Sequence, residues 1–101
     1  MIYIEEYEVD PSDKEELMEM YRDSKKIFDE LKLPFIKNYT VYESKENPNK
    51  LRGIVIFNEG GSTEKLYEHF MAHPNVGPVL ERFNRLCKNT VTESYEVLFP
   101  F

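Results

Sequence analysis

The stretch from Ser62 to Leu86, STEKLYEHFMAHPNVGPVLERFNRL, predicts two amphipathic helices with a break between them. Its apolar residues recur at the spacing of one helix face, as Leu66, Tyr67, Phe70 and Met71 in the first part and as Val76, Val79, Leu80, Phe83, Leu86 and Cys87 in the second. Proline has no amide hydrogen and disfavours helical backbone in the residue before it, so the break is predicted at His73–Pro74.

The boundaries of these two helices are marked by small and capping residues. Ser62 follows a glycine turn and is a predicted N-cap of the first helix. The second helix should begin between Asn75 and Gly77, because Pro78 is tolerated only in a first helical turn.

Four strands and one long helix are predicted around this stretch. Residues that favour extended backbone predict strands at Ile2–Val9, Phe35–Ser44, Leu51–Asn58 and Thr90–Phe99. The helix between the first two strands should run to about Leu31. It begins either at Asp10, with a proline in the first helical position, or at Ser12, with Glu15 completing a capping box.

The predicted order is β-α-β-β-α-β with a broken second helix, the ferredoxin-like order of an α+β protein. It predicts a four-stranded antiparallel sheet with the helices on one face. We expect the first and third strands to lie at the centre of the sheet and to run parallel to each other. Residues 1–101 are expected to form a single domain.

Both faces of the predicted sheet carry apolar side chains. In the first strand Tyr3, Tyr7 and Val9 lie on one face, and Ile2 and Ile4 on the other. In the second strand Phe35, Tyr39 and Val41 lie opposite Ile36 and Tyr42, and in the third Leu51, Val55 and Phe57 lie opposite Ile54 and Ile56. A sheet covered on one side only normally alternates apolar with polar residues. We therefore expect a second copy of the chain to cover the second face, giving a homodimer joined through the sheet.

Composition excludes several classes of partner. The net charge of -6 argues against a general nucleic-acid or anionic-membrane surface, because both need a basic face. No apolar run approaches the 18 or so residues of a membrane span. Cys87 is the only cysteine, so no internal disulfide can form and a cytoplasmic location is expected. It falls on the apolar stripe and should be buried and inert.

The residues Glu68–Asn75, EHFMAHPN, followed by a helix and the closing segment Ser94–Leu98, resemble the dimeric α/β-barrel superfamily. The nearest group is the antibiotic-biosynthesis-monooxygenase-like group. The resemblance implies sheets packed face to face across a two-fold axis. It also implies a pocket between sheet and helices for a small aromatic or apolar molecule, which some members oxidise with molecular oxygen and no cofactor. Haem-degrading members rely on an Asn, Trp and His set, and this chain has no tryptophan.

Six residues are candidates for a site. His69, His73 and Arg52 are candidates for catalysis, and Asn38, Tyr39 and Tyr67 for lining a pocket, since tyrosine combines an apolar body with a polar tip. Arg52 either anchors an anionic or enolate substrate or pairs as a strand-end charge, across the dimer or with Glu43. The tyrosines either line the pocket or pack in the core and interface.

The two histidines lie four residues apart, a spacing at which both can bind one metal ion. However, His69 and His73 point about 130° and about 90° away from the centre of the apolar stripe. Surface or capping positions are therefore expected, with no metal site and no cofactor.

Two functions remain open from the sequence. One is a cofactor-independent oxygenase or related small-molecule enzyme, which needs a pocket with a histidine or arginine pointing inward. The other is a non-catalytic dimeric module that binds a small ligand or serves as a structural unit. An open space between the sheet and the second helix, lined by Tyr39, Arg52 or a histidine, would favour the enzyme.

Overall fold

The computed structural model describes all 101 residues and shows the predicted order of elements. The strands are β1 (Ile2–Glu8), β2 (Ile36–Glu43), β3 (Lys50–Phe57) and β4 (Lys88–Tyr95), and the helices are α1 (Lys14–Leu31), α2 (Thr63–Met71) and α3 (Val76–Leu86). The break at His73–Pro74 is thus confirmed. No helix of the chain combines the length and the apolar character needed to span a membrane.

A side-chain N-cap is present at the start of α2 but not at the start of α1. The side-chain oxygen of Ser62 accepts the amide hydrogen of Lys65 at 3.2 Å, which confirms the predicted N-cap. Before α1, the chain forms a short 3₁₀ turn over Pro11–Asp13. Neither Asp10 nor the predicted capping box forms a side-chain cap there, because this turn moves the start of the α-helix to Lys14.

The sheet has the strand order β2-β3-β1-β4, and every neighbouring pair is antiparallel. The four-stranded antiparallel sheet is therefore confirmed, while the parallel pairing expected for the two central strands is wrong. Because α1 connects β1 to β2, the strand β2 runs in the same direction as β1. The hairpin between β2 and β3 then reverses the direction of the chain. As a result, β3 runs opposite to β1, with Tyr3 facing Val55 and Ile4 facing Ile54.

The core lies between the three helices and one face of the sheet, here called the inner face. Its buried side chains are Tyr3, Tyr7, Leu51, Val55 and Phe57 from the sheet and Leu17, Met20, Ile27, Leu66, Phe70, Val76, Val79 and Leu86 from the helices. Leu17, Val55 and Leu86 are each only 1% exposed. Burying one such side chain stabilises a fold by about 1.5–3 kcal/mol, so this layer holds the helices on the sheet.

The opposite, outer face carries an uncovered group of isoleucines at its centre. Ile2 pairs with Ile56 and Ile4 with Ile54 across β1 and β3, and all four side chains are only half-buried. Exposed apolar side chains lie around them on the flanking strands, namely Tyr42, Val91 and Tyr95. No other part of the chain covers this face.

One side chain lies on the face opposite to the predicted one. The pairing of β2 with β3 shifts register between Ile36 and Asn38. This bulge places an extra residue in β2, so Ile36 faces the core together with Tyr39 instead of joining the outer face.

The last strand ends earlier than predicted. β4 stops at Tyr95 and not at Phe99, and every residue of this edge strand is exposed. The apolar residues beyond it contact little of the chain, with Val97 66%, Leu98 96% and Phe99 67% exposed. These residues therefore add little to the core of the chain.

Candidate functional site

A cavity of about 380 Å³ opens between α1 and the edge strand β2. Its walls are largely apolar and aromatic, formed by Tyr21, Phe28, Ile36, Tyr39 and Val41. A cavity of this volume, with aromatic walls and few polar groups, is typical of a site for a small aromatic molecule.

A glycine lies beneath Tyr39, beside the cavity. Val41, which lines the cavity, faces Gly53 on β3, and Gly53 faces Glu5 on β1. Because Gly53 has no side chain, the ring of Tyr39 and a methyl group of Val41 pack over it. A Cβ atom on Gly53 would lie 3.5 Å from Cε1 of Tyr39 and 3.9 Å from its hydroxyl.

Glu5 points inward on β1, beside Gly53 of β3. It lies between Tyr3 and Tyr7, and both of these neighbours are buried on the inner face. Glu5 makes no hydrogen bond or ion pair within the chain, and partial burial raises the pKa of its carboxyl above the ordinary value. The side chain is half-buried, so its carboxyl group keeps contact with solvent.

Five tyrosines and Glu5 form a group of polar side chains on this side of the sheet, and four of the hydroxyls bond in pairs. The Tyr3 and Tyr67 oxygens are 3.0 Å apart, and the Tyr7 and Tyr21 oxygens are 2.5 Å apart. The fifth hydroxyl, on Tyr39, has no hydrogen-bond partner, and burial together with the charge of Glu5 raises its pKa. We call these five tyrosines and Glu5 the inner polar cluster. Because Tyr39 lines the cavity, its unpaired hydroxyl remains available to a ligand.

Replacing Glu5 by glutamine is expected to stabilise the protein at neutral pH. The folded-state pKa of Glu5 is raised, so ionisation costs stability as the pH rises through that pKa, and the cost is absent below the ordinary pKa of glutamate. Thermal unfolding of Glu5→Gln should therefore show a higher Tm than the unmodified protein at pH 7 and the same Tm near pH 4. An equal Tm at both pH values would show that Glu5 is not buried as described.

The two histidines lie outside the cavity. Nδ1 of His73 accepts the amide hydrogen of Asn75 at 3.1 Å, which places the ring proton on Nε2, and Nε2 donates to Glu30 at 2.6 Å. His73 thereby ties the break between α2 and α3 to α1. His69 is exposed, and its Nδ1 donates to the backbone carbonyl oxygen of Lys65 at 2.7 Å.

No group of three or more His, Cys, Asp or Glu side chains is arranged to hold a metal ion. The absence of a metal site remains a prediction from the sequence. Cys87 is buried, and burial raises the pKa of its thiol to about 12. At neutral pH this cysteine is therefore a protonated, unreactive thiol.

Arg52 and Asn38 are placed on the outer face, away from the cavity. Arg52 donates to Glu6 on the neighbouring strand at 3.1 Å, whereas Glu43 pairs with Lys14 at 2.7 Å. Arg52 is therefore paired with Glu6 of its own chain. Its charge needs neither of the predicted partners, which were Glu43 and a residue across the dimer. Asn38 accepts a hydrogen bond from the Thr40 hydroxyl at 2.6 Å.

Of the predicted pocket residues, two belong to the inner polar cluster. Tyr39 reaches into the cavity, while Tyr67 closes the cluster from α2 through its bond to Tyr3. Glu5 was missed from the sequence, although strict alternation along β1 puts it on the same face as Tyr3 and Tyr7. That alternation is the sequence signal from which its inward position could have been predicted.

Comparison with known proteins identifies the fold. No protein-family model matches the sequence, and no curated protein is significantly similar to it. A crystal structure of an antibiotic biosynthesis monooxygenase is 12% identical and has a TM-score of 0.72, covering 97% of this chain and 99% of its own. SnoaB, a cofactor-independent oxygenase from Streptomyces nogalater, is 13% identical with a TM-score of 0.67, covering 99% and 96%. A conserved protein from Methanosarcina mazei is 20% identical with a TM-score of 0.70, covering 91% and 86%. The chain therefore has the ferredoxin-like fold of the antibiotic biosynthesis monooxygenases.

Proposed function

We propose that this chain is a cytoplasmic, homodimeric protein that binds a small aromatic molecule in the cavity and oxidises it with molecular oxygen without a cofactor. The observation that carries this proposal is the cavity between α1 and β2, which has aromatic walls and is lined by Tyr39, whose hydroxyl makes no hydrogen bond within the chain. The shared fold with SnoaB supports the reaction type, because that protein is described as a cofactor-independent oxygenase.

The proposed reaction converts an activated aromatic methylene to a carbonyl: R₂CH₂ + O₂ → R₂C=O + H₂O. The substrate supplies all four electrons, one oxygen atom enters the carbonyl group and the other leaves as water. A substrate of this kind must first lose a proton to become electron-rich. The chain contributes a largely apolar cavity that holds the ring, and the Tyr39 hydroxyl donates a hydrogen bond to a developing oxyanion.

Oxygen uptake with 1,8-dihydroxyanthrone, which carries such a methylene, tests the proposal. We expect the protein to accelerate uptake above the buffer rate and to form the matching anthraquinone. Val41→Phe, which fills the cavity, should reduce this acceleration on the order of a hundredfold, because a misplaced substrate reacts far more slowly. Val97→Phe makes the same change on an exposed residue and should have no effect. An acceleration that survives Val41→Phe would place the reaction elsewhere.

The homodimer is proposed from the outer face of the sheet. Four half-buried isoleucines with exposed Tyr42, Val91 and Tyr95 around them form an apolar surface of a kind that monomers rarely leave in water. A two-fold axis is the simplest way for a chain to cover its own patch, since the same surface serves both copies. Light scattering at micromolar concentration should give about twice the chain mass of 12.1 kDa.

A non-catalytic ligand-binding module is the second candidate. It is favoured by the placement of His69, His73 and Arg52 outside the cavity, because the enzyme was expected to point one of them inward. Under this alternative, aromatic probes bind and Val41→Phe blocks binding, but no oxygen is consumed.

A further inference from the structure

Three hydroxyl groups line the cavity, and two of them make no hydrogen bond within the chain. The Tyr21 hydroxyl is already bonded to that of Tyr7. The two without partners belong to Ser24 on α1 and Tyr39 on β2, so they come from the two opposite walls of the cavity. A free hydroxyl in the wall of a largely apolar cavity is a group that fixes the orientation of a ligand.

Ser24 lies in the interior of α1, where a serine does little for the helix itself. Its helix propensity is lower than that of alanine, and its hydroxyl commonly bonds the backbone carbonyl oxygen one turn earlier, a bond that Ser24 does not make. The side chain is half-buried and lies one turn before Phe28, whose ring packs edge-to-face with that of Tyr39 at 5.4 Å. The hydroxyl of Ser24 is therefore presented to the cavity without a benefit to the helix.

The charges at the cavity are balanced. Lys25 and Asp29 are the charged residues among those that line it, and Lys25 donates to both carboxylate oxygens of Asp29, at 3.1 and 3.0 Å. No unpaired cation in the wall is left to hold a carboxylate or a phosphate, and no unpaired carboxylate is left to hold an ammonium group. A neutral ligand is therefore favoured.

We propose that the ligand of this cavity is a neutral aromatic molecule with oxygen substituents on two opposite edges, and that Ser24 and Tyr39 select it by bonding one oxygen each. Hydroxyl and carbonyl oxygens both fit, because a serine or tyrosine hydroxyl can donate or accept. A ring with oxygen on one edge leaves one of the two protein hydroxyls without a partner. Recognition of the second oxygen is thus the specificity role of Ser24. The inference rests on the proposed function in one respect, that the cavity binds an aromatic ligand.

Three matched probes test the inference without requiring turnover. Naphthalene has no oxygen, 2-naphthol has one, and 2,6-dihydroxynaphthalene has one on each of two opposite edges. Fluorescence titration of the full-length protein should show 2,6-dihydroxynaphthalene binding roughly three- to tenfold more tightly than 2-naphthol, the range for one hydrogen bond between neutral groups. In Ser24→Ala and in Tyr39→Phe, which each lack one hydroxyl, this advantage should fall to within about twofold.

The response of 2-naphthol distinguishes two hydrogen bonds from a change in the shape of the cavity. This probe can bind with its single oxygen toward either wall. Its affinity should therefore stay within about twofold in each single variant and fall roughly three- to tenfold only in the double variant. Naphthalene should bind the unmodified protein and all three variants equally, which shows that the cavity is intact.

Matched control variants remove a hydroxyl elsewhere. Ser94→Ala changes an exposed serine on β4, and Tyr42→Phe changes an exposed tyrosine on the outer face. Both should keep the full advantage of the second oxygen. Ser24→Ala should also melt no lower than the unmodified protein, because alanine has the higher helix propensity, so its loss of affinity is not a loss of folding.

The outcomes separate this inference from the oxygenase proposal. If the advantage of the second oxygen persists in Ser24→Ala or in Tyr39→Phe, the two-point contact is wrong while the cavity stands. If it depends on both hydroxyls but 1,8-dihydroxyanthrone consumes no oxygen, the two residues select the ligand of a binding module and the oxygenase proposal fails. If none of the three probes binds the unmodified protein, both proposals are wrong.

Discussion

Replacing Val55 by aspartate is expected to leave the chain unfolded at neutral pH. Val55 is 1% exposed on the inner face of β3 and packs in a cluster with Tyr3, Phe57 and Leu66. No cation lies in this cluster, so the new carboxylate would be buried without a partner. The cost of such a charge, or of protonating it, adds to the lost packing and is comparable with the whole stability of a small domain, about 5–15 kcal/mol.

Circular dichroism and thermal melting check this expectation. Val55→Asp should show no cooperative unfolding transition, at any protein concentration. Val55→Thr has nearly the same shape and buries only a hydroxyl, so it should remain folded and lose about 1–3 kcal/mol. A folded Val55→Asp protein would contradict the assignment of this face to the core.

Replacing Ile54 by aspartate is expected to separate the proposed dimer. Ile54 is the next residue along β3, but it faces outward, between Ile4 on β1 and Thr40 on β2. Both copies of a two-fold dimer carry the substituted residue, so the interface contains two carboxylates in apolar surroundings. Breaking an interface in this way costs on the order of 3–5 kcal/mol, which weakens association by more than a hundredfold.

Light scattering and melting distinguish the two substitutions. Ile54→Asp should scatter as a 12.1 kDa species at micromolar concentration and melt at a lower temperature than the dimer. Asn84→Asp adds the same charge on the exposed surface of α3 and should remain dimeric. An Ile54→Asp protein that still scatters as a dimer would mean that the two copies meet through another surface, and a monomeric unmodified protein would refute the dimer altogether.

Patterns of apolar residues predicted the elements of this fold well because each element buries one regular face. The stripe from Leu66 to Leu86 identified both helices, and the prolines located the break. Alternation assigned Val55 and Ile54 to opposite faces because β3 pairs regularly with β1. It failed at Ile36, where a bulge shifts the register without a glycine or proline to mark it.

The candidate site was harder to predict because its features arise between elements. Gly53 and Glu5 are 48 residues apart in sequence, and only the antiparallel register sets them side by side. The search of β1 for apolar residues missed Glu5. Its position two residues from both Tyr3 and Tyr7 nevertheless places it on the same, inner face. The ion pairs of Arg82 with Glu19 and Asp23, which join α3 to α1, likewise depend on how two helices pack and leave no local pattern.

The strand order also has a consequence for how the protein folds during synthesis. Within this fold β1 is synthesised before the other strands, yet its two neighbours are β3 and β4, and Ile2 pairs with Tyr95. The pairing of β1 is therefore complete only after β4 has been made, and closing so long a loop slows folding. Until then β1 is incompletely covered on the nascent chain, and exposed apolar side chains such as its tyrosines and isoleucines favour aggregation.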